Sequence, residues 1–192
     1  MGGTIHRLRD WEWHIFSLCD GNGDKRKQSF YESCGMLGVR KSYAFNFQDH
    51  PSGGAFLRNN KREMKRRLTK RLDETYHYAF SHSLQEWNEY SNHPNHEEVG
   101  IIASEIAKEK SWPLIRFCYR PIYPGRTSTV ANQKANSYLQ LDYKELRFKL
   151  DLIDRFLPGE MDNLRGLGYP CPNPEAFEGD GLPAPPFIKW PT

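Results

Sequence analysis

His14-Ile-Phe-Ser-Leu-Cys19 is the stretch of sequence on which the fold prediction depends. A short apolar run that is followed by a glycine-rich turn is typical of a buried strand ending in a loop. Phe30, Cys34 and Leu37 follow at spacings of four and three. That spacing predicts a helix, which Gly38 would end.

The same alternation of strand and helix continues along the chain. Apolar runs at 43–47, 76–82 and 114–119 predict three more strands, and helices are predicted over 2–10, 57–74, 96–108 and from 142 onwards. Such alternation predicts an α/β domain with helices on both faces of a mainly parallel sheet. Pro and Gly dominate from Pro158 on, so 158–192 is predicted to be an extended tail of one domain that spans 1–192.

Composition excludes several classes of protein. The chain has 192 residues, of which 38% are hydrophobic and 14% aromatic, and this excludes a disordered chain. No apolar run approaches the roughly 18 residues that a membrane span needs, and the amino-terminal residues do not form a secretory signal. The four cysteines lie far apart, which favours a reduced, cytoplasmic protein.

The charge is nearly balanced, with a net value of +3, and this predicts no polyanionic partner such as nucleic acid. One segment qualifies that prediction, because eight Lys and Arg residues fall between Arg58 and Arg71. A density of this kind suggests a nucleic-acid-binding helix. Acidic neighbours at Glu63 and Asp73 favour the alternative of a solvated helix face.

His93-Pro-Asn-His96 carries the strongest chemical signal. Two imidazoles three residues apart at the start of a helix can face one point, and imidazole is a common ligand of zinc. On spacing alone, an exposed and inert pair of histidines on a loop is the alternative. Asp20-Gly-Asn-Gly-Asp24 resembles half of a calcium loop, but Lys25 stands where that loop requires Gly.

Several segments, in collinear order, resemble the LmbE/PIG-L family of N-deacetylases. They are Gly2-Gly-Thr-Ile5, Trp13 to Gly21, Arg26 to Val39, Phe80-Ser-His82, Glu89-Tyr-Ser-Asn-His-Pro-Asn-His-Glu-Glu-Val99 and Pro174-Glu-Ala-Phe177. The resemblance implies a Rossmann-like, three-layer α/β/α fold. It also implies a zinc-dependent hydrolase that removes acetyl groups from N-acetylated amino sugars or their conjugates.

Four residues are predicted to form the site, and the resemblance assigns the roles of three of them, His96, His93 and Arg26. It implies that His96 is a ligand of Zn²⁺ and that His93 polarises the amide carbonyl or stabilises the oxyanion. Arg26 falls on the family's arginine and is expected, with Asp49, to contact the amino-sugar substrate. A surface salt bridge is the alternative role for Arg26.

One departure from the family sets an expectation about activity. The H-P-D-D-E loop, which supplies two metal ligands and the carboxylate base in the family, does not occur in these 192 residues. We therefore expect a truncated form that lacks the first strand, with a gap beside 13–19, weak or no zinc binding and no hydrolysis. A non-catalytic sugar-binding relative and a binding module built on the basic helix are the alternatives. Were the chain active, His82 or Asp49 would have to complete the metal shell.

Overall fold

The structure, a computed structural model, describes residues 1–19, 24–47, 56–82, 94–121, 129–131, 135–156 and 174–189. These residues contain five helices: α1 (Gly2–Arg7), α2 (Asp24–Met36), α3 (Phe56–Thr69), α4 (Pro94–Lys110) and α5 (Tyr143–Phe156). They also contain nine strands: β1 (His14–Cys19), β2 (Lys41–Phe47), β3 (Ala79–Ser81), β4 (Leu114–Phe117), β5 (Tyr119–Pro121), β6 (Thr129–Ala131), β7 (Ser137–Leu139), β8 (Glu175–Glu178) and β9 (Ile188–Lys189).

The described strands form two parallel pairs and a set of antiparallel partners. β1 pairs with β2, and β3 pairs with β4, both in parallel. The sheet that holds β3 and β4 continues through antiparallel pairings in the order β3-β4-β8-β7-β9, and β5 with β6 forms a separate antiparallel pair. The chain is therefore α/β, but the prediction of a mainly parallel sheet is not confirmed.

Two strands of the five-stranded sheet, β8 and β9, come from the segment that the sequence predicts to be an extended tail. Within 158–192, β8 lies between β4 and β7, and its Ala176 and Phe177 are fully buried. Gly179 ends this strand at a φ of 147°, and an added Cβ would lie 2.7 Å from the carbonyl oxygen of Leu114. Strands of two to four residues flanked by Pro and Gly show no usable periodicity, which explains why the pattern missed them.

Helices lie on both faces of β1. On one face α1 and α2 pack against α5, and on the other α3 packs against α4. Ile15 packs against an apolar cluster that contains Phe177, whereas Phe16 packs against a separate cluster that contains Met64. The two differ because neighbouring side chains on a strand point to opposite faces. None of the helices in the described ranges has the length and apolar character that crossing a membrane requires.

The start of α5 forms as the sequence predicts. Asp142 caps the helix by accepting a hydrogen bond from the Glu145 backbone N–H at 2.9 Å, and Glu145 accepts one from the Asp142 N–H at 2.8 Å. Glu145 also pairs with Arg7 of α1. The capping box therefore fixes the beginning of α5 and joins it to α1.

A buried carboxylate joins α1, α5 and β8. Glu175 is fully buried and accepts a hydrogen bond from the Thr4 backbone N–H at 2.7 Å. The Lys149 ammonium lies 2.6 Å from the same carboxylate, and the Met1 amino group lies 3.2 Å from it. Burial alone would raise the pKa of Glu175, but these two cations outweigh burial and hold the pKa below its usual range.

Replacing Lys149 by Met should lower the free energy of unfolding by about 3–5 kcal/mol, because the buried carboxylate loses its closest cation. Lys144→Met, on an exposed part of the same helix, is the control and should change stability by about 0.5 kcal/mol or less. Urea denaturation followed by circular dichroism measures both. Equal effects of the two substitutions would contradict the structural role given to the Lys149–Glu175 pair.

The same carboxylate predicts sensitivity to acid. Its pKa is lower in the folded chain than the ordinary value of 4.5, so its stabilising contribution is complete above that value and is lost as the pH falls below it. The stability of the wild type should therefore decline more steeply below pH of about 4.5 than that of Glu175→Gln. Urea titrations at a series of pH values test this, and parallel declines would show that another group governs acid unfolding.

Candidate functional site

A cleft separates the two parallel strand pairs. Among the described strands, β1 pairs only with β2 and β3 only with β4, so one edge of each is available to the cleft. The cavity has a volume of about 1510 Å³, and both β1 and β3 contribute to its wall. The cleft thus runs along 13–19, the strand beside which the sequence predicts a gap.

Aromatic side chains close the cleft where β1 and β3 begin. The rings of Trp13 and Phe80 lie 5.4 Å apart, and those of Trp11 and Tyr78 stack at 5.5 Å. These contacts hold the amino ends of the two parallel pairs together. At the carboxyl ends of β1 and β3 the wall includes Cys19 and His82 instead.

Two histidines meet at the carboxyl end of β3. His82 directly follows the strand, and His96 lies in the first turn of α4. Their rings stack at 4.2 Å with planes 9° apart, and Phe117 packs edge-on against His82. Ligands of open α/β sheets bind beyond the carboxyl ends of the strands, so this is the expected end of the cleft for a site.

The stacking limits what the two rings can do together. The lone pair of an imidazole nitrogen lies in the plane of its ring, and lone pairs in nearly parallel planes do not converge on one ion. In this arrangement one ring, His96, can serve as a metal ligand while His82 fixes its orientation. The fallback expectation that His82 completes the metal shell therefore does not suit this geometry.

The predicted site residues are only partly within the described ranges. His96 and Arg26, from α4 and α2, both line the cleft. His93 and Asp49 lie outside the described residues, so their roles remain predictions. In the described part of the chain, the set of three side chains close enough to share a metal is Glu12, His14 and Glu74, which does not include His96.

Cys34 also lines the cleft, but it is a poor nucleophile at neutral pH. Burial raises its pKa to about 11, against a hydrogen bond with Ser42 that lowers it. A thiol with such a pKa is almost entirely protonated in neutral solution, and the thiolate is the reactive form. The cleft therefore does not offer Cys34 as a catalytic thiolate.

Sequence reasoning missed two features of the cleft. The first is the stacking of His82 on His96: the sequence named His82 only as a residue that could complete a metal shell, because it lies at the end of a predicted strand. The second is the group of Glu12, His14 and Glu74, which no sequence pattern indicates. Glu74 is separated from the other two by about 60 residues and meets them only in the fold. No spacing rule connects residues so far apart.

Comparisons with known proteins show no family for this chain. No family model matches the chain, no curated protein matches it, and no solved structure matches it.

The basic face of α3 is the second candidate surface. Its cations pair extensively with acidic groups: Lys61 with Glu105, Lys65 with Glu105 and Glu109, and both Arg66 and Arg67 with Glu63. Arg67 also lies over the Phe47 ring, 5.1 Å from its centre. Hydrogen bonds from Lys61 and Lys65 lower the pKa of Glu105. These pairs favour the interpretation of a solvated helix face.

Removing the two carboxylates on α4 should convert this face into a polyanion-binding surface. Glu105→Gln/Glu109→Gln releases Lys61 and Lys65, so the dependence of log K on log salt for single-stranded DNA should steepen by about 1.4, or 0.7 per added phosphate contact. Asp10→Asn/Asp180→Asn removes the same charge at exposed positions outside α3 and α4 and is the control. Fluorescence anisotropy at several salt concentrations measures both. Equal slopes for the two double variants would contradict the pairing described.

Proposed function

We propose that this chain is most of a zinc-dependent N-deacetylase domain that acts on N-acetylated amino sugars or their conjugates. The observation that carries the proposal is the position of His96. The last His of the His93-Pro-Asn-His96 motif lies in the first turn of α4, at the carboxyl end of β3 and on the wall of the cleft. The collinear resemblance to the LmbE/PIG-L family supports the same activity.

At the carboxyl-end rim of the cleft, where His82 and His96 lie, the described residues do not fit a hydrolytic zinc by themselves. Such a metal needs about three protein ligands and one open position for water. His96 supplies one ligand, and the stacked His82 does not converge with it. We therefore assign no step to a metal held by the described residues alone, and the proposed active form requires ligands from elsewhere.

The strand edges along the cleft indicate that a further segment of chain could bring those ligands. The available edges of β1 and β3 carry backbone N–H and C=O groups that an extended segment can pair with. In the proposed active form a further strand lies between them and ends at the rim beside His96. An H-P-D-D-E sequence after that strand would complete the metal shell and place a carboxylate base in the cleft.

The chain's own residues then bind and orient the substrate. Arg26 lies on the α2 side of the cleft and is suited to donate hydrogen bonds to a sugar hydroxyl or a phosphate. His82 holds the ring of His96 by stacking, which makes His82 a positioning residue. His93, by resemblance, polarises the acetyl carbonyl as negative charge develops on its oxygen.

A specific observation favours a second candidate, a non-catalytic amino-sugar-binding protein. The described rim provides one metal ligand, whereas aromatic rings line much of the remaining cleft, among them Trp13, Phe80 and Trp112. Aromatic faces pack against the apolar faces of sugar rings. Sugar binding without hydrolysis is the result that would favour this candidate.

The experiment compares the 192-residue chain with a version that carries an added amino-terminal strand and an H-P-D-D-E loop. We expect acetate release from an N-acetylglucosamine conjugate only from the extended version. In that version His96→Ala should abolish zinc binding at the rim, and His93→Ala should retain zinc while lowering kcat by about 10²–10³. The exposed His77→Ala is the matched control and should leave both unchanged.

The outcomes separate the candidates. Hydrolysis by the 192-residue chain alone would refute the need for a further strand. An extended version that binds the sugar but releases no acetate would favour the sugar-binding candidate. Unchanged hydrolysis in the extended His96→Ala variant would show that His96 is not a metal ligand.

A further inference from the structure

A second cluster of metal-ligating groups lies at the opposite end of β1 from His96. It consists of Glu12, His14 and Glu74, which we call the amino-end triad. Three potential ligand atoms, one from each residue, all lie within 4.8 Å of one another. His14 Nε2 lies 3.1 Å from Glu12 Oε1 and 3.8 Å from Glu74 Oε2.

The imidazole of His14 is held rigidly. Its side chain is 2% exposed, and Nδ1 shares a hydrogen bond of 2.8 Å with the Tyr76 hydroxyl. The Tyr76 ring also packs edge-on against it at 5.2 Å. Metal-ligating histidines characteristically have their second ring nitrogen fixed by such a hydrogen bond, which sets the direction of the ligating nitrogen.

Each carboxylate of the triad divides its two oxygens between different partners. Glu12 directs Oε2 to Arg40 and Oε1 to His14. Glu74 directs Oε1 to Lys41 and Oε2 to His14. A cation placed between the three inward atoms therefore displaces neither Arg40 nor Lys41.

The charges and the access also suit a cation. Lys41 pairs with Glu74 and Asp73, and Arg40 pairs with Glu12. Three carboxylates face two basic side chains here, which leaves an excess of negative charge when His14 is neutral. Glu12 and Glu74 are 45% and 37% exposed, so an ion can reach the triad from solvent.

We propose that the amino-end triad binds one divalent transition-metal ion, with Zn²⁺ as the best match. At zinc–ligand bonds of about 2.0–2.2 Å, ligand atoms in a tetrahedron lie about 3.4 Å apart, and the separations of 3.1 and 3.8 Å bracket that value. A water molecule takes the fourth position. The ion joins the start of β1 to the segment before β3, and so it fastens the two parallel pairs together at the end of the cleft away from His96.

The test uses the full chain in a His96→Ala/His82→Ala background, which removes both imidazoles that the structure places at the rim. Metal-depleted protein is titrated with Zn²⁺ by calorimetry and with Co²⁺ by visible absorption, which reports tetrahedral coordination. We expect one equivalent to bind, a rise in Tm with Zn²⁺, and a loss of affinity of about 100-fold or more in His14→Gln, at or above the upper range for second-shell changes.

Two matched controls distinguish ligation from general charge effects. His77→Gln removes an exposed histidine near Glu74 in the sequence, and Asp73→Asn removes a neighbouring carboxylate that is not one of the three triad ligands. Both should keep Zn²⁺ affinity within about 10-fold. If His14→Gln fails to fold by circular dichroism, Glu74→Gln, at an exposed position, provides the same test.

The proposal is overturned if no Zn²⁺ binds, or if His14→Gln or Glu74→Gln binds as tightly as His77→Gln. The triad would then be an imidazole held between two carboxylates by hydrogen bonds alone. Because His96, the metal ligand of the proposed deacetylase, is replaced in every protein tested, these outcomes do not depend on whether the chain is a deacetylase.

Discussion

The buried carboxylate of Glu175 is the constraint on which much of the architecture depends. An ionised group in an apolar interior is tolerated only where cations and hydrogen-bond donors surround it. Lys149 and the Thr4 N–H meet that requirement, which brings α5 and α1 to the same point on β8. The carboxylate therefore helps to make β8 a central strand rather than a surface extension, and the antiparallel pairings of β8 with β4 and β7 follow from that position.

The parallel strands form two separate pairs, and the cleft between these pairs holds both groups of candidate metal ligands. The cleft between β1 and β3 has an aromatic closure at its amino end and the stacked pair of His82 and His96 at its carboxyl end. Its two ends therefore offer different chemistry. The amino end holds a preformed triad of two carboxylates and one imidazole around His14, whereas the rim offers one imidazole positioned by another.

This contrast bears on the proposed hydrolase. A catalytic zinc requires a set of ligands that converges on one point, and neither stacking nor burial can replace ligands that the described residues at the rim do not supply. The described rim orients the His96 ring but does not supply the full set of zinc ligands. In the proposed active form the strand that pairs in the cleft brings the other ligands, so strand pairing and metal binding at the rim are coupled. A metal at the amino-end triad would instead stabilise the scaffold without taking part in the reaction.

The sequence by itself determined β1, β2, α4 and the capped start of α5, because strand alternation, helical spacing and the Asp142–Glu145 capping box depend on residues a few positions apart. It also placed His96 at a helix start after a strand. Only the tertiary structure decided the antiparallel neighbours of β4, the stacking of His82 on His96, and the meeting of His14 with Glu74. Those features depend on side chains and backbone edges that are distant in the sequence. Local patterns set which segments become strands and helices, but long-range pairing and the burial of charges decide which segments become neighbours.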